Sequence, residues 1–76
     1  MRIIKFQKQN CVPCEQLGEW LDNNNVDYEA VDAFDRPDLA SKYRLRSVPT
    51  LVLEKDNGEV ELIKGFNPQV LKEKLL

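Results

Sequence analysis

Apolar positions along the chain change period several times, and each change marks a new element. Residues 1–8, MRIIKFQK, alternate: Ile4 and Phe6 fall on one face, and Met1, Ile3 and Lys5 fall on the other, which predicts a strand. In residues 13–24, PCEQLGEWLDNN, the period lengthens. Cys14, Leu17 and Leu21 share a face at helical spacing, Pro13 suits a first turn, where its missing N–H costs nothing, and the Asn23-Asn24-Asn25 run ends the helix. Residues 26–33, VDYEAVDA, return to alternation through Val26, Tyr28 and Ala30 and predict a second strand. Residues 35–44, DRPDLASKYR, read as a short helix with Asp35 as its N-cap and Leu39, Ala40 and Tyr43 facing inward. Two further strands, residues 50–55 and 59–64, flank Asp56-Asn57-Gly58, and Asn-Gly between apolar runs is the strongest short-range hairpin signal. The last segment, residues 67–76, opens with Asn67 as N-cap and Pro68 at the first helical position, with Val70, Leu71 and Leu75 as its inner face.

The order β-α-β-α-β-β-α predicts an α/β fold. The first two strands flank a helix, so they should run parallel through a right-handed crossover. The last two should form an antiparallel hairpin. A four-stranded mixed sheet flanked by three helices, with helices on both faces, follows.

The chain's 76 residues leave room for one domain, residues 1–76. A domain of this size buries only roughly 60% of its unfolded surface, so its core must be tight. Net charge is −2, with the charged residues mixed along the chain. That speaks against a nucleic-acid partner, which would call for a basic face. The longest unbroken apolar runs are three residues, as in Leu51-Val52-Leu53. No segment reads as a membrane span or a secretion signal, and a cytoplasmic monomer is expected.

Two features bear on chemistry. The chain has no histidine, which excludes cysteine proteases and Ser–His hydrolases that need an imidazole base. It has two cysteines, Cys11 and Cys14, within QKQNCVPCEQL. As a structural staple the pair is poor: closing a four-residue loop yields roughly 2 kcal/mol in the chain-entropy model, before strain. As a metal clamp it is short of ligands, because structural zinc wants four, mostly Cys and His, so no metal is expected. A redox pair fits best. The cysteines lie where a strand ends and a helix begins, and the free N–H groups and dipole of a helix N-terminus stabilise a thiolate. Such thiols ionise well below the ordinary value of ~8.5. Cys11, at the N-cap, should present an exposed, acidic sulfur. Cys14, one turn in, should be shielded and placed to resolve a mixed disulfide.

The cysteine motif and the chain after it resemble the thioredoxin superfamily. Cys11-Val12-Pro13-Cys14 keeps a proline before the second cysteine, as thioredoxins do. LASKYRLRSVPTLVLEKDNGEV, residues 39–60, resembles thioredoxin closely through Arg46-Ser47-Val48-Pro49-Thr50 and the hairpin after it. Gly65 followed by LKEKLL also fits. The resemblance implies a thioredoxin-like fold in which Pro49 is a cis-proline facing the cysteines, although only ~5–6% of X–Pro bonds are cis. The start resembles a smaller branch. The motif begins at residue 11, as in glutaredoxins and the redoxins that feed ribonucleotide reductase, and Lys8 matches a glutaredoxin-like lysine. Gly65-Phe66-Asn67-Pro68 resembles the Gly-Phe-x-Pro of the reductase-feeding redoxins. The Gly-Gly-x-Asp type of sequence by which glutaredoxins grip glutathione is missing.

The resemblance implies a dithiol–disulfide oxidoreductase acting on protein disulfides, with the Cys11–Cys14 pair in place of a bound cofactor. A thioredoxin-reductase-type flavoprotein would recharge it. Dedicated electron donation to ribonucleotide reductase, a glutathione-coupled glutaredoxin and a non-catalytic binding module are the alternatives. Val12, Pro13, Val48, Pro49, Gly65 and Phe66 are expected to form the docking rim, with the Val48 backbone free to pair with an extended substrate. Trp20 and Tyr43 are expected to be packing residues. Lys5 stands where thioredoxins hold a buried acid. Lys5 and Lys8 are therefore candidates for tuning the thiols. The plain alternatives are a solvated Lys8, and a Lys5 whose stem packs while its ammonium reaches water at the sheet edge.

Overall fold

A computed structural model describes residues 1–76. It contains β1 (Arg2–Gln7), α1 (Val12–Asn23), β2 (Glu29–Asp32), α2 (Pro37–Lys42), β3 (Thr50–Glu54), β4 (Val60–Lys64) and α3 (Pro68–Leu75). The sheet order is β2-β1-β3-β4. β1 and β2 are parallel, and β1/β3 and β3/β4 are antiparallel. This is the mixed four-stranded sheet and thioredoxin-like fold expected from the sequence.

Strand parity divides the core into two layers. Leu51, Leu53 and Ile63 on one face of the sheet pack against Leu17 and Leu21 of α1 and Leu71 of α3, with Ile3 beside them. Ile4, Phe6 and Val52 point to the other face, where Tyr43, at the end of α2, packs with Leu39. The Phe6 and Tyr43 rings meet at 5.9 Å between centroids. Trp20 is half-buried against the leucine layer, as a packing residue should be.

Several boundaries differ from expectation. The second strand begins at Glu29, not Val26. Asn25, in left-handed conformation (φ 56°), closes α1 instead: its N–H donates to Asp22 O at 3.2 Å and the Val26 N–H to Leu21 O at 2.9 Å. That paired motif satisfies carbonyls orphaned at the helix end and uses up the residues that the alternation had assigned to a strand. Asp35 does not cap α2. The helix begins at Pro37, which makes Arg36 the N-cap, and no side chain caps it. Arg36 instead forms a two-pronged ion pair with Asp38, at 3.1 and 2.9 Å. The hairpin loop is Asp56-Asn57-Gly58, as expected, with the Lys55 N–H donating to Glu59 O at 2.8 Å. The Gly58 N–H donates to Lys55 O at 2.9 Å, and only Gly58, at φ 89°, takes the left-handed conformation.

Candidate active site: a disulfide at the head of a helix

Three segments converge at one end of the sheet. β1 runs into a loop whose Asn10 is left-handed (φ 55°) and then into Cys11, the N-cap of α1. The register Phe6↔Thr50 puts Pro49 at that same end, and Thr50↔Lys64 puts Gly65 there too. The Gly65 N–H donates to Pro49 O at 2.8 Å and ties the two loops together.

Cys11 and Cys14 are joined as a disulfide, with Cα atoms 5.2 Å apart. Cys11 has extended backbone (φ −121°, ψ 101°), as an N-cap does. Its Sγ accepts the Cys14 N–H at 3.2 Å, and its carbonyl accepts the Glu15 N–H at 3.1 Å, the first turn of the helix. One sulfur thus takes the place of the oxygen that normally caps a helix. A thiolate at that position meets an N–H donor and the positive end of the helix dipole.

The exposed Cys11 expected from the sequence is not observed. In the disulfide form Cys11 is 6% exposed and Cys14 3%. The Cys11 Sγ is bonded to Cys14 and faces the first turn of α1. The surface above the pair is apolar instead: Val12 is 63% exposed and Pro13 is also exposed.

The Val48–Pro49 bond is cis, as the resemblance implies. Pro49 is buried and Val48 half-buried. The Val48 N–H and carbonyl make no hydrogen bond within the chain, because β3 begins only at Thr50. Ser47 O is taken by the Thr50 hydroxyl at 2.8 Å. Phe66 is half-buried against the leucine layer. Asn67 caps α3 through its Oδ1, which accepts the Val70 N–H at 3.3 Å.

Lys8 is exposed and forms neither a hydrogen bond nor an ion pair with the protein. It stands at the mouth of a groove of about 470 Å³ lined by Phe34, Leu45, Arg46 and Val48 among others. Sequence reading passed over Phe34, which is 77% exposed. The one available signal was an aromatic residue interrupting a polar turn.

Lys5 follows its plain reading only in part: its stem packs, but its ammonium lies under α1 and not at the sheet edge. It is only 6% exposed, and its ammonium keeps no more than a sliver of solvent contact. The Nζ lies under α1 beside Gly18 and 5.8 Å from the centre of the Tyr28 ring. Burial pushes the Lys5 pKa down, and the charges of Asp22 and Glu15 work against that shift.

Comparison with known proteins identifies the family and the fold. The family described as Thioredoxin matches residues 1–76. The SPbeta prophage-derived thioredoxin-like protein YosR of Bacillus subtilis is 37% identical over 76 residues, covering 99% of this chain and 95% of that one. Mitochondrial thioredoxin 3 from Saccharomyces cerevisiae, solved in its oxidised form, superposes with a TM-score of 0.80 at 29% identity, covering 96% of this chain and 74% of that one. The glutaredoxin-like NrdH-redoxin of Escherichia coli shares the fold, with a TM-score of 0.78 at 24% identity over 96% of this chain and 93% of that one. A family match across all 76 residues, with a disulfide-forming Cys-x-x-Cys pair at its centre, places this chain in the thioredoxin family as a small redoxin with thiol–disulfide oxidoreductase activity.

Proposed function

We propose that the chain reduces disulfides in proteins and is recharged by a thioredoxin-reductase-type flavoprotein. The observation that carries this reading is Cys11 at the N-cap of α1, its Sγ facing the Cys14 N–H. In the reduced protein the Cys11 thiolate attacks one sulfur of a substrate disulfide, forming a mixed disulfide and releasing the other substrate sulfur as a thiolate. Cys14, as thiolate, then attacks Cys11 Sγ. The Cys11–Cys14 bond forms, and the second substrate sulfur leaves and takes up a proton. Two electrons from the flavoprotein return the pair to the dithiol.

Docking is proposed at the rim formed by Val12, Pro13, Val48, Pro49, Gly65 and Phe66. The unpaired N–H and carbonyl of Val48 supply one donor and one acceptor for an extended substrate segment. Gly65, held to Pro49 O, keeps the neighbouring loop beside that strand site. A dithiol recharged in this way works in a reducing compartment, which makes the cytoplasm the proposed place of action.

A second reading is dedicated electron donation to ribonucleotide reductase. The Gly65-Phe66-Asn67-Pro68 loop beside the cysteine end favours it. Glutathione as the reductant is disfavoured, since Asn67 is engaged in capping α3 where a glutathione-binding acid would be required.

The test is insulin reduction coupled either to thioredoxin reductase with NADPH or to glutathione with glutathione reductase. Turnover with the flavoprotein, and little with glutathione, is expected. Turnover only with glutathione overturns the reading. Cys14→Ser should accumulate mixed disulfides and Cys11→Ser none, and the reverse pattern overturns the assigned roles.

A further inference from the structure

Lys5 is the one charged residue buried in this protein. Lysines are almost never fully buried without a partner, yet Lys5 makes no hydrogen bond or ion pair. Its ammonium sits where a side chain of α1 would otherwise be. A Cβ built on Gly18 would lie 2.8 Å from Lys5 Nζ, closer than real Cβ atoms come to any neighbour. Gly18 is in the interior of α1 with ordinary helical backbone. A glycine there is the least favourable residue after proline, and no turn or left-handed conformation calls for it.

Gly18 follows Cys14 by one helical turn, on the same buried face. One turn is about 5–6 Å along the axis, so the ammonium lies about one turn below Cys14. No charge cancels it in contact. The cross-strand neighbours of Lys5, Ala30 on β2 and Leu51 on β3, are uncharged, and α3 contributes the apolar Leu71 to this layer. Tyr28 faces the ammonium with its ring, and burial, followed by the charge of Asp22, pushes the pKa of its phenol up. The acids that act on Lys5 are Glu15 and Asp22 of α1, both exposed.

We propose that Gly18 and Lys5 act as a pair: the glycine leaves room for an ammonium beneath the helix that carries the disulfide, and that charge favours the reduced, thiolate form of Cys11 and Cys14. Lys5 is a positioning residue acting through the field at the sulfurs. It gives up no atom in the reaction. When the disulfide takes two electrons, the proton of the ionising thiol goes to solvent, and the cation beneath the helix stabilises the anion left behind. A more stable reduced form makes the disulfide the stronger oxidant.

The inference rests on the redox activity of the pair. Its test uses no protein substrate and no reductase, so its failure is separate from failure of the proposed function. The thiolate absorbance of the reduced protein is titrated against pH, and the pair is equilibrated with dithiothreitol of known ratio. In Lys5→Met the acid dissociation constant of the nucleophilic thiol should fall about tenfold, the size expected for one charge at this range in a partly buried setting. A tenfold change carried through to the redox equilibrium lowers the potential by about 30 mV. Gly18→Ala should push the flexible end of Lys5 aside and shift both quantities the same way by several-fold. It should also raise thermal stability, because alanine favours the helix. Stability and redox properties moving in opposite senses is a result that a merely structural glycine would not give. Wild-type titration and potential in either folded variant overturn the proposal, and if Lys5→Met does not fold, Gly18→Ala alone decides.

Discussion

Leu17→Ala should cost about 3 kcal/mol of stability, a large fraction of what a domain of this size is expected to have. Leu17 is 0% exposed and sits between α1 and the Leu51, Leu53, Ile63 and Leu71 layer. The change removes three carbons, worth about 2.4 kcal/mol at ~0.8 kcal/mol each. A residual void of roughly 40–60 Å³ adds about 1–1.5 kcal/mol at ~24 cal/mol per Å³. Helix propensity acts the other way by a few tenths of a kcal/mol, since alanine is slightly the better helix former. Typical stability, ~0.05–0.15 kcal/mol per residue, comes to about 4–11 kcal/mol for this chain. Urea unfolding of the oxidised protein should show a lower midpoint with an unchanged slope, and the melting temperature should fall by roughly 12–24 °C. A loss below about 1 kcal/mol would show that the two layers collapse onto the vacancy, and would refute the picture of α1 held to the sheet by close packing.

Two further outcomes follow from the surface of the fold. Glu61 accepts from Lys55 at 2.8 Å and pairs with Lys74 at 3.1 Å, and these contacts, Lys55 first, hold its carboxylate below the ordinary 4.5. A depressed carboxylate stabilises the fold above its unfolded pKa, and that contribution is lost as pH falls through the folded value. Melting temperature should therefore drop less between about pH 5 and pH 3 in Glu61→Gln than in wild type; parallel curves would show that the network contributes nothing. Asn67→Ala removes the cap of α3 and should cost about 0.5–1 kcal/mol by urea unfolding, with Asn67→Gly losing less. A loss near zero would mean the 3.3 Å contact is not a working cap.

The period of the apolar residues and the connections between elements were enough to read the order of elements, the parallel β1/β2 pair, the antiparallel β3/β4 hairpin and the two faces of β1, whereas the antiparallel β1/β3 pairing came only with the structure. The legible features depend on local repeats, 2.0 for strands and 3.6 for helices, which a sequence displays directly. The cysteine pair was legible for the same reason: four residues at a strand-to-helix junction carry their own geometry. Boundaries were less legible. Val26 was spent on closing α1 through a bond to Leu21 O, and Pro37 made Arg36 the cap in place of Asp35. Hydrogen-bond competition decides such residues, and pattern does not report it. The surroundings of Lys5 were decided by tertiary structure alone. Strand parity put Lys5 on the face under α1, but parity cannot say how far a long side chain is covered or what it lies against. That depended on a gap in the facing helix, and the gap exists because residue 18, thirteen positions away in the chain, has no Cβ.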